Sequence, residues 1–201
     1  MTTPLDARDR RLVRLFAAGA LGRFDVVRAV RASAPAGEPD RAWREALLQL
    51  HLFAGVPRAV ECYAALAECG GLGAPGPDEI GEEGPSMRER GARLFERIYG
   101  RGADDVRAML AAGHPDFAAW VLEHAYGRVL ARDGLDAGRR ELLACAALAA
   151  LGQERQLASH ARGAVRCGAT GAGVLAALDE IADLVPEERL LSARRVVERF
   201  V

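Results

Sequence analysis

Two stretches of this chain share one pattern, and it is a pattern that paired helices satisfy. Laying Leu21-Gly22 over Leu151-Gly152 aligns DRRLVRLFAAGALGRFDVVRAV with RRELLACAALAALGQERQLASH. Each reads as a helix, a tight Leu-Gly turn and a second, antiparallel helix. Apolar residues recur three and four apart, and no stretch of the chain alternates with period two. The fold class is therefore all-α. Half of the residues are hydrophobic but only 5% are aromatic. The core must then be Ala, Leu and Val, which suits helices packed close together.

Helix signals cover most of the chain. Asp6 or Asp9 starts a first helix that Gly22 breaks, and Phe24 to Ala34 forms a second. Asp40 is the expected N-cap of a third, stopped by Gly55, and Pro57 sits in the first turn of a fourth. Residues 70–86, GGLGAPGPDEIGEEGPS, are Gly/Pro-rich and acidic and read as a linker, a spacer rather than a lid. Further helices are expected near Met87–Tyr99, Ala103–Ala112, Pro115–Arg132, Ala137–Leu151, Glu154–Cys167, Gly173–Leu184 and Pro186–Phe200. Trp43 and Trp120 read as core anchors.

The second of the paired stretches carries the chemistry. Glu141, Cys145 and Leu148 fall at i, i+4 and i+7 on one helix face. Gln153, Gln156 and His160 fall at i, i+3 and i+7 on the returning helix. The Leu-Gly turn brings these faces together, opposing an acid to an imidazole. Such a pair is suited to proton transfer, because each group moves the other's pKa towards neutrality. A Glu near a helix start beside Arg139 and Arg140, or a lone His, also has a structural reading as a solvated or satisfied group. In the first stretch Glu141 is replaced by Arg11, Cys145 by Leu15 and His160 by Val30. The packing positions persist there and the polar ones do not.

The pattern R-x-E-L-L-x-x-A-x-L-A-A-L-G-x-E-x-x-L-x-x-H-x-x-x-A-x-x-x-G over residues 139–168 resembles the carboxymuconolactone decarboxylase family and its AhpD-type relatives. MRERGARLFERIYG (Met87–Gly100) resembles that family's opening helix, and HPDFAAWVLEHAYGRVLARDGLD (His114–Asp136) its second block. EALLQLHLFAGVPRAVECY (Glu45–Tyr63) resembles its segment with a Gly-x-Pro turn. The resemblance implies an AhpD-like helical bundle made of two related modules. They are a degenerate half module over residues 1–69, the linker at 70–86, and a module over 87–201.

The resemblance also assigns expected roles. The peroxidase branch needs two thiols at positions that here are Gln153 and Gln156. Gln cannot take part in disulfide exchange, so that mechanism is not expected. The decarboxylase branch fits better and implies acid–base chemistry with no cofactor. His160 would carry the proton and Glu141 would orient it. Arg140, or its neighbour Arg139, would hold a substrate carboxylate. His51 would add a second imidazole, and Tyr126, beside His124, would line the pocket with Gln153, Gln156 and Cys145. No metal site is implied. A reactive thiol at Cys145 and a catalytically silent binding or oligomerisation module are the competing readings.

Formal net charge is -1, no basic patch stands out, and nucleic acid is not an expected partner. No apolar run reaches membrane-spanning length, so no membrane partner is expected. Met1 to Asp9 is too polar for a signal peptide. Four cysteines without metal or disulfide spacing fit a reduced, cytoplasmic setting. The expected partners are a small-molecule substrate and further copies of the chain, as a trimer or dimer.

Overall fold

The computed structural model describes residues 5–80 and 85–200, so the expected linker is described only in part. Helices α1 (Ala7–Leu21), α2 (Phe24–Ala32), α3 (Arg41–Ala67), α4 (Pro85–Tyr99), α5 (Ala103–Gly113) and α6 (Pro115–Trp120) come first. A π-helical stretch, Val121–Leu130, continues α6 and precedes α7 (Ala137–Ala150), α8 (Glu154–Arg166), α9 (Gly171–Asp179) and α10 (Glu187–Val197). There is no strand among the described residues.

The sequence repeat is a structural repeat. Asp6 caps α1 by accepting the Asp9 amide at 2.7 Å, and Asp136 caps α7 by accepting that of Arg139 at 2.9 Å. Gly22 and Gly152 end these helices at φ 74° and 71°. The next amides, of Arg23 and Gln153, each bond back at 2.8 Å to Ala18 and Leu148 carbonyls. Glycine takes that left-handed conformation without a Cβ clash, which closes the helix and reverses the chain.

Helix α1 packs along α7, and α3 closes over both. Every residue of α7 from Arg140 to Ala150 is buried. A helix buried on all sides needs small side chains where neighbours approach, and α7 supplies Ala at six of its fourteen positions. One apolar core unites Leu12, Phe16, Trp43 and Leu50 with Leu143, Leu157 and Leu178. A second, smaller core joins Phe95 and Ile98 of α4 to Tyr126, Leu130 and Cys167. There α4 meets the π-helical stretch backbone to backbone: a Cβ on Gly91 would lie 2.7 Å from the Cα of Gly127.

Gly55 (φ 81°, ψ 163°) is non-helical, so α3 is two helices that meet at a kink two residues before Pro57, as expected. Other expectations are corrected. Asp40 stands at the N-cap of α3, but its side chain makes no capping hydrogen bond. Its carboxylate instead pairs with Arg31 at 2.8 Å and accepts the Gly73 amide at 2.9 Å. The helix expected over 115–132 widens into π turns from Val121. Trp43 is a core anchor, but Trp120 is 67% exposed, because Ala118 is the buried position of α6.

The stretch after α3 is tied down rather than free. Arg44 donates to both Glu79 oxygens at 2.6 and 2.8 Å and to the Gly73 carbonyl at 2.7 Å, while Arg41 pairs with Asp78 at 2.6 Å. The Arg44 guanidinium holds the Glu79 carboxyl down, from 4.5 to about 2. A depressed carboxyl adds stability that is complete above its unfolded value of 4.5. That stability is lost as pH falls from there towards about 2. Residues 72–80 should therefore loosen across that acid window, seen as faster amide exchange there than in α7. Glu79→Gln should remove the pH dependence.

Candidate active site at the α7–α8 hairpin

Glu141 lies in the second turn of α7 and His160 in the second turn of α8, on helices that the Gly152 turn holds antiparallel. His160 Nδ1 is 2.9 Å from Glu141 Oε2. Glu141 is 1% exposed and His160 8%. A carboxylate accepts, so the imidazole donates through Nδ1, and a neutral ring then leaves Nε2 as the acceptor. Nε2 makes no hydrogen bond among the described residues. Phe53, just before the break in α3, sets its ring edge-on to His160 at 5.5 Å between centroids.

Two further features fit α8 to this pair. Gly163, on the same face as His160, leaves room for the carboxylate: a Cβ there would be 2.6 Å from Glu141 Oε2 and 3.0 Å from Ile98 Cγ2. On the α4 side, the Tyr126 hydroxyl donates to that of Tyr99 at 3.0 Å. Burial raises the pKa of Tyr99, and that of Tyr126 well above its ordinary value, with the Glu141 charge adding to both. Both phenols are therefore held neutral, with Tyr126 donating to Tyr99.

The other expected site residues are dispersed. Arg140 is 1% exposed and points away from Glu141 into a polar knot. It donates to Glu45 at 2.7 Å and to the carbonyls of Arg132, Asp133 and Leu135 at 3.0 to 3.2 Å. Its donors are committed to the protein and face away from the pair. Arg139 is likewise matched, to Asp9 at 2.8 Å and Asp136 at 2.7 Å. Cys145 is fully buried, and burial drives its pKa well above the ordinary thiol value, so the reactive thiolate is suppressed. Gln153 and Gln156 are exposed on the outer turn of α8.

His51 does not face His160. Its Nε2 is 2.7 Å from His124 Nε2 and its Nδ1 2.5 Å from the Leu48 carbonyl. The carbonyl only accepts, so His51 is protonated on Nδ1 and His124 donates through Nε2. Burial first, then the neighbouring His51 and Arg128, lowers the His124 pKa. A proton on both facing nitrogens would break the contact.

Residue-by-residue reading missed Glu45, Gln49 and Arg132. All three join Arg140 in the knot, Arg132 through Nε and Nη2 contacts of 2.8 to 3.1 Å to Glu45. Gln49 donates to the Arg140 carbonyl at 2.8 Å. The available signal was a Glu and a Gln four apart on the buried face of a helix, positions that demand partners. Phe53, the ring neighbour of His160, carries no local signal of that contact, because the two are distant in sequence.

Residues 115–199 match the Carboxymuconolactone decarboxylase family, a span that contains α6 to α10 and the whole hairpin. The blocks at 45–63 and 87–100 lie outside that match. The chain is also 29% identical over 138 residues to "Peroxisomal protein 2" of Schizosaccharomyces pombe, covering 67% of this chain and 64% of that relative. Among the described residues, no helix is long and apolar enough to cross a membrane. Both members of the buried Glu141–His160 pair thus lie in the part of the chain, residues 115–199, that is similar to the carboxymuconolactone decarboxylase family.

Proposed function

We infer that the protein is a cofactor-free acid–base enzyme of decarboxylase or isomerase type, acting on a small carboxylated or lactone substrate. The observation that carries this reading is the buried 2.9 Å contact between Glu141 and His160 inside the family-matched span. In decarboxylation a C–C bond breaks and carbon dioxide leaves. The electron pair passes into an enolate conjugated with the lactone carbonyl, and that enolate takes up one proton. His160 is the proton carrier through Nε2. Glu141 is a positioning residue that holds the ring with Nδ1 as its donor. In isomerisation the same nitrogen removes a proton from one carbon and returns it to another.

The reading is tested with the full chain and a panel of γ-lactone acids. Carbon dioxide release and deuterium uptake at the carbon beside the carbonyl would be followed by NMR. Wild-type turnover or exchange that disappears in His160→Gln is the expected result. Absence of both across the panel favours a catalytically silent binding module. The first hairpin shows that this fold persists with Leu15 and Val30, both buried, in place of the polar residues.

A further inference from the structure

Most arginines around the core are matched by a carboxylate. Arg14 pairs with Asp183, Arg44 with Glu79, Arg139 with Asp9, and Arg132 and Arg140 with Glu45, at 2.6 to 2.8 Å. Three on α4 are not. Arg90 makes no ion pair among the described residues. Arg93 has only a 3.8 Å approach to Glu89, with both side chains more than two-thirds exposed, a contact worth almost nothing. Arg97 has only a 3.4 Å hydrogen bond to the Arg166 carbonyl.

These three fall at i, i+3 and i+7 and so share one face of α4. That face is one wall of a groove of about 330 Å³ between α4 and residues 130–137. Leu94 and Ala137 give the groove apolar surface. Of the charges opposite, Arg132 is matched by Glu45 and Asp136 by Arg139, which leaves Asp133 as the one acidic group there without an ion pair among the described residues. Three unmatched guanidiniums therefore face one unmatched carboxylate.

We propose that this groove is a binding site for a small dianion, a dicarboxylate or a phosphate monoester, held by Arg90, Arg93 and Arg97 with its carbon skeleton on Leu94 and Ala137. Guanidinium forks match carboxylate and phosphate oxygens two at a time, and several converging on one groove give selectivity for two charges over one. Ala137 precedes Glu141 by four residues on the same face of α7, about 6 Å along the helix. A dianion in the groove thus lies one turn from the Glu141–His160 pair, where Arg140 is unable to serve.

The full chain would be titrated at low salt with succinate and, separately, inorganic phosphate, followed by calorimetry and by the arginine Nε–Hε signals in NMR. Saturable binding that weakens as salt is added is expected for at least one probe. Succinate alone assigns the site to carboxylates, and phosphate alone to phosphate esters. Arg93→Gln with Arg97→Gln should weaken binding about tenfold, from two exposed charge pairs of about 0.7 kcal/mol each. Asp133→Asn should tighten it, because a like charge leaves the groove. Arg88→Gln, whose arginine pairs with Glu123 at 2.9 Å outside the groove, should change nothing. No saturation by either probe in the millimolar range, or an equal loss in Arg88→Gln, overturns the proposal. The readout is binding, not turnover, so its failure is distinct from failure of the acid–base reading.

Discussion

Glu45→Ala should lower the unfolding free energy by about 3–5 kcal/mol, the usual cost of stranding a buried charge. One carboxylate, itself 1% exposed, receives Arg140 at 2.7 Å and Arg132 at 2.8 to 3.1 Å. Burial already lowers the Arg140 pKa, and the bond to Glu45 is what offsets that penalty. Without Glu45, the buried Arg140 keeps only backbone carbonyls and the Gln49 side-chain oxygen as acceptors, and Arg132 loses its carboxylate partner. A single domain has a net stability of roughly 5–15 kcal/mol, so this one change removes a large share of it. Urea unfolding measures the loss. Combining Glu45→Met with Arg140→Met should recover part of it, because the unpaired charge disappears along with its partner. A loss under about 1 kcal/mol in Glu45→Ala would show that solvent reaches the knot.

The second large effect concerns rate rather than stability. On the acid–base reading, His160→Gln should cost about 10²- to 10⁴-fold in turnover, the range for losing a positioned proton carrier. Gly163→Ala tests the pair without touching either member. Its Cβ would lie 2.6 Å from Glu141 Oε2, the mobile end of a side chain, so the carboxylate yields and the fold does not. Turnover should then fall to the level of Glu141→Gln, and the double variant should be no worse than either alone, since all three remove one interaction. The ring nitrogens report independently: nitrogen NMR should show His160 Nδ1 losing its strong acceptor in both single variants. If Gly163→Ala leaves Nδ1 and the rate unchanged, the 2.9 Å contact is not what positions His160.

The helical class, the two hairpins and the facing of Glu141 to His160 were legible in the chain itself. Each depends on interactions local in sequence. A 3.6-residue period selects one face, a glycine at positive φ stops the helix, and a short turn fixes which faces meet. The same locality explains the capping by Asp6 and Asp136. Helix α6 is where local reading fell short, because its π turns accompany a backbone contact between Gly127 and Gly91 that no local pattern encodes.

What only the tertiary structure decided is which polar groups found partners. Arg140 looks from the chain like a substrate ligand beside Glu141, yet residues one apart on a helix point about 100° from each other. It therefore enters a different environment, where Glu45, 95 residues away, neutralises it. His51 turned to His124 rather than His160 for a like reason, since the break at Gly55 sets the direction of α3 and places Phe53 over the imidazole. Arg90, Arg93 and Arg97 look in sequence like an ordinary solvated face. Only the packing of residues 130–137 across from them makes that face the wall of a groove. Periodicity specifies the side of its own helix on which a residue lies. What stands opposite is set by contacts distant in sequence, and those settle whether a charge is structural, catalytic or free to bind.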